Sequence, residues 1–319
     1  MPAPSPEARR VSLIVPTVRR PEGLAVAVRS LLGQQGVDPL DLELIVVDND
    51  PAGSAEAHVR GFAAEAPFPV RYVHAPEPGV ANARNAAMAA ATGELIAFLD
   101  DDEEAPPGWL AALLEAQARY GADVVFGPVR GRAPPHVVRH REYLERFFSR
   151  EGPAESGAID HYYGCGNSLL RRAALPDPDR PFSAVRNHIG GEDDLLFGQM
   201  KAAGARFAWA AEAWVWEDPV PSRLSLRYTL ARAFAYGQGP TAASAAASPP
   251  RWLGVAGWMA QGLVQAGLFG ALAGVQWLTR SPKFAFTADR AARGLGKTFW
   301  FGPFKIEFYG RSSGGVRLP

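Results

Sequence analysis

The chain has 319 residues, 47% hydrophobic and 21% charged, which is apolar material enough for a large core with an appendage. Lysine plus arginine and aspartate plus glutamate each number 33, so there is no cationic excess of the kind nucleic-acid binding runs on. The single cysteine, Cys165, excludes an internal disulfide and fits a reducing, cytoplasmic setting; the opening MPAPSPEARR has no apolar leader and reads as a flexible tail over residues 1–10.

From Val11 onward, β-branched runs alternate with helical patterns, which predicts a mostly parallel sheet covered by helices. The expected strands are Val11–Val15, Leu42–Val47, Val70–His74, Leu95–Leu99 and Asp123–Phe126. Between them, Gly23–Leu32, Ser54–Ala64, Val80–Ala91 and Pro107–Tyr120 repeat apolar residues at helical spacing. Leu44–Val47 and Leu95–Leu99 are apolar without a break, as strands buried on both faces are. Further strands are expected near Asn167–Leu170, Arg206–Trp209 and Ala213–Trp216, with helices at Asp193–Ala203 and Ser222–Tyr236.

At Gln238–Pro250 the composition changes to QGPTAASAAASPP, small residues that set a linker at 240–250. It separates a main domain at 11–239 from a helical extension at 251–319. Trp252–Leu278 carries no charge but holds six glycines and three glutamines. At about 1.5 Å per helical residue it exceeds the roughly 30 Å hydrocarbon core of a bilayer. The chain beyond Arg280 is basic and aromatic, and positive charge stays on the cytoplasmic side. A helix lying along the inner membrane face is therefore expected, with a glycine-rich pair packed on the main domain or in a dimer as the alternative.

In an open α/β sheet, ligands bind beyond the carboxyl ends of the strands. Three such ends carry polar clusters: Pro16-Thr17 with Arg19 and Arg20, then Asp48-Asn49-Asp50, then Asp100 to Glu104. A nucleoside diphosphate needs an acceptor for its base or ribose donors and a cation for its phosphates. Asp48 suits the first need. A divalent ion on the aspartates suits the second, and hard oxygen ligands select Mg²⁺ or Mn²⁺. Glu103 and Glu104 read instead as a solvated cap on the helix opened by Pro106-Pro107. PTVRRPEG stands where a glycine-rich dinucleotide turn would be, and no Walker A loop is present.

The stretches SLIVPTVRRPEGL, LIVVDND, PGVANARNAAMAAATGELIAFLDDDE, YGCGNSLLRR and GGEDDLLFGQMKAAG resemble, in order, the motifs of the family 2 glycosyltransferases. Within that family the combination looks most like the branch that builds succinoglycan-type exopolysaccharides. The resemblance covers Val11 to about Gly239 and implies a GT-A fold, an α/β architecture with a Rossmann-like nucleotide-binding half. It implies an inverting, metal-dependent transferase moving a sugar from a nucleoside diphosphate, UDP favoured, to a saccharide or lipid-linked saccharide. In that reading Pro16, Thr17, Arg19, Asp48 and Arg84 line the nucleobase pocket. Asp100 and Asp102 form the D-x-D that meets ribose and metal, with Asp101 between them. Gly164, Gly166 and Asn167 lie near the donor sugar, and Asp193, with Glu192 beside it, is the catalytic base.

Each residue also has a plainer reading. Asp48 is a common turn former, Arg84 could be a solvated helix arginine, and Glu192–Asp194 is favourable charge at a helix start. Cys165 reads as a small buried residue. His161 and His188 sit in loops and read as solvent-exposed. Many relatives carry a histidine where Trp216-Glu217 stands here, which leaves a third metal ligand open. Two other readings of the whole chain remain at this level: a sugar nucleotidyltransferase, whose glycine-rich loop is missing, and a silent nucleotide- or glycan-binding scaffold, which would not need both Asp102 and Asp193.

Overall fold

A computed structural model of the chain describes residues 10–37, 42–188 and 190–306, the side chain of His188 excepted. The expected tail, Arg10 apart, and the final basic stretch from Glu307 lie outside the described residues. The elements in chain order are β1 (Val11–Thr17), α1 (Pro21–Leu32), β2 (Leu42–Asp48), α2 (Glu56–Glu65), β3 (Val70–His74), α3 (Val80–Ala90), β4 (Leu95–Phe98), β5 (Glu103–Glu104) and α4 (Trp109–Tyr120). They continue as β6 (Val124–Phe126), β7 (Val129–Gly131), α5 (Arg141–Phe148), β8 (Gly157–Ile159), β9 (Ser168–Arg171), α6 (Glu192–Ala202), β10 (Phe207–Trp209), β11 (Val215–Glu217), α7 (Leu226–Ala246), α8 (Trp252–Leu278) and α9 (Phe284–Thr298). These fall into two units: residues up to 130 with 149–218, and residues 131–148 with 219–306.

In the first unit an eight-stranded sheet runs in the order β3-β2-β1-β4-β9-β6-β10-β8. β1, β2, β3 and β4 are parallel, as are β6 and β10, while β9 is antiparallel to both of its neighbours. Side chains alternate across it: Leu13, Val15, Leu44 and Val46 enter one core with Trp109 and Leu113, whereas Ile14, Ile45 and Val47 enter the other with Phe98 and Phe197. Continuous apolar runs are what a sheet covered on both faces requires.

Two features of this topology place the site. The chain builds β1, β2 and β3 to one side and then returns to lay β4 on the other side of β1, which opens a crevice at the carboxyl ends of β1 and β4. Because β9 is antiparallel, with Ser168 opposite Phe98, it brings to that same edge the turn that precedes it.

The structure differs from expectation at Glu103-Glu104. These residues form β5 and pair antiparallel with Trp216-Glu217 of β11, and Glu103 is buried rather than a solvated cap. Pairing partners far along the chain, which local pattern does not encode, decide this.

The second unit is helical. The QGPTAASAAASPP stretch differs too, since α7 continues through it to Ala246. Alanine is the best helix former, and here small residues serve packing. Gly237 has no room for a Cβ beside the Arg293 carbonyl, and Thr241 Oγ1 donates to the Lys297 carbonyl at 2.9 Å. Tyr143 of α5 donates to Asp289 of α9 at 3.1 Å.

Candidate active site

The crevice is built first from the ends of β1 and β4. Thr17 Oγ1 donates to Asp101 Oδ2 at 2.8 Å. Arg20, which opens α1, donates from Nη1 to Asp101 Oδ1 at 2.8 Å and to Asp102 Oδ2 at 2.7 Å. Asp100 points the other way, across to the turn before β9. A Cβ on Gly166 would stand 2.5 Å from Asp100 Oδ2, so only glycine admits that carboxylate.

That turn, Gly164-Cys165-Gly166-Asn167, is held by Arg150. The Arg150 guanidinium donates to the carbonyl of Gly164 at 2.8 Å, of Gly166 at 2.6 Å and of Asn167 at 3.1 Å, and also to that of Gly127. Asn167 adopts a positive φ of 51° and is fully buried. Its amide donates to the carbonyls of Pro128 and Ala213 at 2.7 and 2.9 Å and accepts from Trp109 Nε1 at 2.7 Å. Its hydrogen-bonding capacity is therefore spent on the scaffold, and of the expected sugar-side residues Gly164 and Gly166 are those that face carboxylates.

The third wall is the start of α6, turned in by Gly191 at φ 75°. Asp193 Oδ2 accepts from the Cys165 amide at 3.1 Å and lies 3.3 Å from where a Cβ of Gly164 would be. One turn thus touches Asp100 through Gly166 and Asp193 through Gly164. Arg84 of α3 closes the ring from below. Its Nη1 meets Glu192 Oε1 at 2.5 Å and its Nη2 lies 3.6 Å from Asp100 Oδ1. Its guanidinium also lies 5.6 Å from the centre of the Phe182 ring, and its buried Nε has no hydrogen-bond partner. Arg84 therefore sits beneath the acidic cluster, and its contacts are with Glu192 and Asp100 rather than with the residues around Asp48.

Beyond the ends of β1 and β2, a cavity of about 210 Å³ is lined by Thr17, Arg19, Arg20, Ser54, Ala55 and His58 among others. Pro16 is half-buried in β1 and pairs with Val47. Arg19 extends outward, its side chain 60% exposed, and meets Asp50 at 2.9 Å; that hydrogen bond holds the Asp50 carboxyl down to about 2. Asp48 lies beneath, fully buried, where it accepts from the amides of Asp50 at 2.9 Å and Ala55 at 2.7 Å and from Tyr72. Its carboxylate shapes the loop that forms the cavity floor, the turn-forming role of a strand-end aspartate.

The electrostatics follow from crowding. Asp100 keeps 39% of its side-chain surface open, but protein walls surround it, and desolvation raises its pKa. Arg84 opposes that rise while Asp102 and Asp193 add to it. Burial pushes Asp101 up to about 6 against the pull of Arg20, and raises Glu192 against that of Arg84. Glu103 accepts from the Asp100 amide at 2.9 Å and is raised strongly by burial and by Asp100. Burial also pushes the Cys165 thiol up to about 12. The cleft holds more negative charge than its arginines neutralise.

The family model described as Glycosyl transferase family 2 matches residues 12–177, a span that includes the β4 tip and the Gly164–Asn167 turn. The chain belongs to glycosyl transferase family 2. Over 233 residues it is 40% identical to the succinoglycan biosynthesis protein ExoM of Rhizobium meliloti, which covers 73% of this chain and 74% of that one. Over 119 residues, 37% of each chain, it is 31% identical to a GalNAc(5)-diNAcBac-PP-undecaprenol beta-1,3-glucosyltransferase of Campylobacter jejuni. The structure superposes on residues 1–349 of S. aureus TarS, solved in complex with UDP, with a TM-score of 0.51 at 16% identity, covering 90% of this chain and 89% of that one. The fold is the GT-A fold that the motifs implied. As a family 2 member the chain is a glycosyltransferase, related to transferases of exopolysaccharide and lipid-linked glycan assembly.

Sequence reading notes Arg20 at the strand end without giving it a role, takes Glu103 for a solvated cap, and passes over Arg150. Arg20 was legible in principle, three residues past the strand end, but Arg150 acts through backbone carbonyls and leaves no side-chain pattern. Glu217, in register with Glu103 across the β5–β11 pair, adds its charge to the same cluster. His161 is exposed and meets Asp160 and the Tyr163 hydroxyl; the His188 side chain lies outside the described residues. A wider cavity, about 820 Å³, opens at the other end of the sheet among Glu94, Arg171, Arg172 and Arg206. Its arginines are engaged by Asp123 and Asp179.

Proposed function

We propose that this glycosyltransferase moves a sugar from a nucleoside diphosphate, UDP favoured, onto a saccharide carried by a lipid, with inversion at the anomeric carbon. The observation that carries the reading is the single turn on which Asp100 and Asp193 converge, with Arg84 linking Asp100 to the Asp193 side through Glu192. The base would enter the cavity beside Thr17 and Arg19, and the diphosphate would run past Arg20 toward Asp102.

Among the described residues no group of three or more His, Cys, Asp or Glu side chains converges as a metal cage, so a divalent ion here would take few protein ligands and complete its shell with phosphate oxygens and water. Asp100 and Asp102 present hard oxygens of the kind such an ion takes, and Arg84 Nη2 lies 3.6 Å from Asp100 Oδ1. Mg²⁺ or Mn²⁺ held by Asp100 and Asp102 would neutralise charge developing on the departing diphosphate. Arg20, now paired with Asp102, competes for that carboxylate.

Asp193 is the acid left to take the acceptor proton. Glu192 is tied to Arg84 and Asp101 to Thr17 and Arg20, so neither is at liberty to act as base. Glu192 orients the α6 start instead. Among the described residues the one thiol beside Asp193, that of Cys165, is buried and stays protonated; with Asp100 given to the diphosphate side, a single base supports a single displacement. The uncharged α8 supports work at the cytoplasmic membrane face, where a lipid-linked acceptor would lie.

Asp193→Asn should retain binding of UDP while kcat falls at least a thousandfold, and Asp102→Asn should abolish the Mn²⁺ dependence of UDP binding by calorimetry. Full transfer by Asp193→Asn, or Mn²⁺-enhanced binding by Asp102→Asn, would remove these assignments.

A further inference from the structure

Helix α8 is 27 residues long, uncharged, and has a mean hydropathy of 1.2 in its most apolar stretch, of which 11% is buried. By length and composition it qualifies as a membrane span. Its packing says something more specific. The inward side is a narrow seam at helical spacing, with Val255, Gly262 and Ala273 buried. There a Cβ on Gly262 would stand 2.6 Å from the Gly294 carbonyl of α9, and one on Gly294 would stand 2.7 Å from the Ala266 amide of α8. Small residues at a crossing let helix backbones meet directly, the packing that helices use where lipid surrounds them. The outward side is a second stripe: Leu253, Val264, Leu268, Val275 and Leu278 are between 58% and 92% exposed.

Basic residues stand at both ends of α8 and on the neighbouring α9. Arg251 precedes α8, and Arg280 and Lys283 follow it, all exposed. On α9 the Arg290 guanidinium lies over the Phe269 ring of α8, 5.2 Å from its centre, and Lys297 Nζ lies over that of Trp258 at 5.4 Å. Between 251 and 306 the one acid is Asp289, buried and paired with Arg293 at 2.7 Å.

We propose that α8 lies in the plane of an anionic lipid leaflet, its outward stripe among the acyl chains and the flanking basic residues among acidic headgroups, and that it does not cross the bilayer. A crossing would carry Asp289, Arg290, Arg293 and Lys297 into hydrocarbon, because α9 is packed backbone to backbone along α8. An in-plane helix leaves them at the headgroup level, with Trp252 and Trp277 at the interface such rings occupy. A second copy of the chain is the other occupant an apolar stripe suggests, but two identical sets of flanking cations would repel. The proposal rests on the function above only for the lipid character of the acceptor.

Flotation of the full chain with phosphatidylglycerol vesicles tests it, against phosphatidylcholine vesicles. Binding should be at least tenfold stronger to the anionic vesicles. Arg280→Glu with Lys283→Glu should weaken it more than tenfold, since each basic residue at such a surface tightens binding about fivefold. Val264→Glu with Leu268→Glu should abolish flotation while circular dichroism is unchanged. Ser281→Cys, on vesicle-bound protein, should react fully with an impermeant maleimide. Equal binding to both lipids, a protected Ser281→Cys, or a dimer by light scattering that ignores vesicles would each overturn the proposal. Transfer to a soluble acceptor reads the catalytic assignment separately, so loss of flotation with transfer intact would count against the lipid surface alone.

Discussion

The carboxylates at the amino ends of the parallel strands and those around the tip of β4 stand under opposite conditions. At the amino ends Glu43 accepts from Ser12 Oγ at 2.6 Å, from the Thr92 amide at 2.7 Å and from Thr92 Oγ1 at 2.6 Å, and Asp123 accepts from Arg171 and from the Arg206 amide. Burial works against both charges, but the donors win and both pKa values are lowered. Around the tip of β4 Asp100, Asp101, Glu103 and Glu192 are all raised, because burial and mutual repulsion exceed what Arg20, Arg84 and Arg150 return, whereas Asp50 at the end of β2 is held down by Arg19. The acids at the amino ends are spent on stability. Those around the β4 tip store unfavourable charge that a cationic ligand can relieve, the condition expected of a binding site rather than a scaffold.

Removing a cation from the crowded end should break the contrast most severely. Arg150→Met leaves the carbonyls of Gly127, Gly164, Gly166 and Asn167 without their donor and the nearby acids without a counter-charge. A loss of about 4 kcal/mol in stability is expected, measured by denaturant unfolding. A loss below about 1 kcal/mol would show that the turn holds itself. Gly166→Ala is a gentler probe of the same end. Its Cβ would displace the Asp100 carboxylate, whose far end can swing into the cleft, so kcat should fall about a hundredfold with little change in unfolding midpoint.

The helical unit sharpens the comparison through glycine. In the crevice, Gly164 and Gly166 make room for the carboxylates of Asp193 and Asp100. In the helices, Gly237, Gly262, Gly294 and Gly296 make room for neighbouring backbones. Gly296→Ala would set a methyl group against the Phe234 carbonyl, and about 2 kcal/mol of destabilisation is expected from overpacking that neither helix can absorb locally. An unchanged midpoint would mean that the helices separate easily.

How much of this was legible follows from the kind of interaction involved. β1 to β4 are readable because burial on both faces forces continuous apolar runs, and the aspartates at the tip of β4 stand out because nothing but a strand end explains them. β5 and β8, of two and three residues, are held by partners 48 or more positions away, which no local pattern announces. Asp48 and Asn167 have side chains suited to a ligand and spend them on the loop, and sequence shows the suitability without the expenditure. The alanine stretch before Pro249 has a linker's composition but also alanine's helix propensity, and α7, packed on α9 at Gly237 and Thr241, runs on through it to Ala246.

The smallest expected effect tests the stable end. Glu43→Gln keeps the shape of the side chain while removing its charge, so its cost at pH 7 should be about 1 kcal/mol, the net worth of charge-assisted hydrogen bonds. The pH dependence separates charge from shape. Because the folded pKa of Glu43 is depressed, its contribution is complete above the ordinary glutamate value and is lost as pH falls through the folded one. The gap between parent and Glu43→Gln should therefore close as unfolding is measured from pH 6 down toward pH 3. The acids at the other end run in the opposite sense: their raised values favour the folded state as pH falls, so the parent's own profile over that range is flatter than the rear carboxylates alone would make it. A gap that stays constant with pH would mean that Glu43 acts through geometry and not through charge.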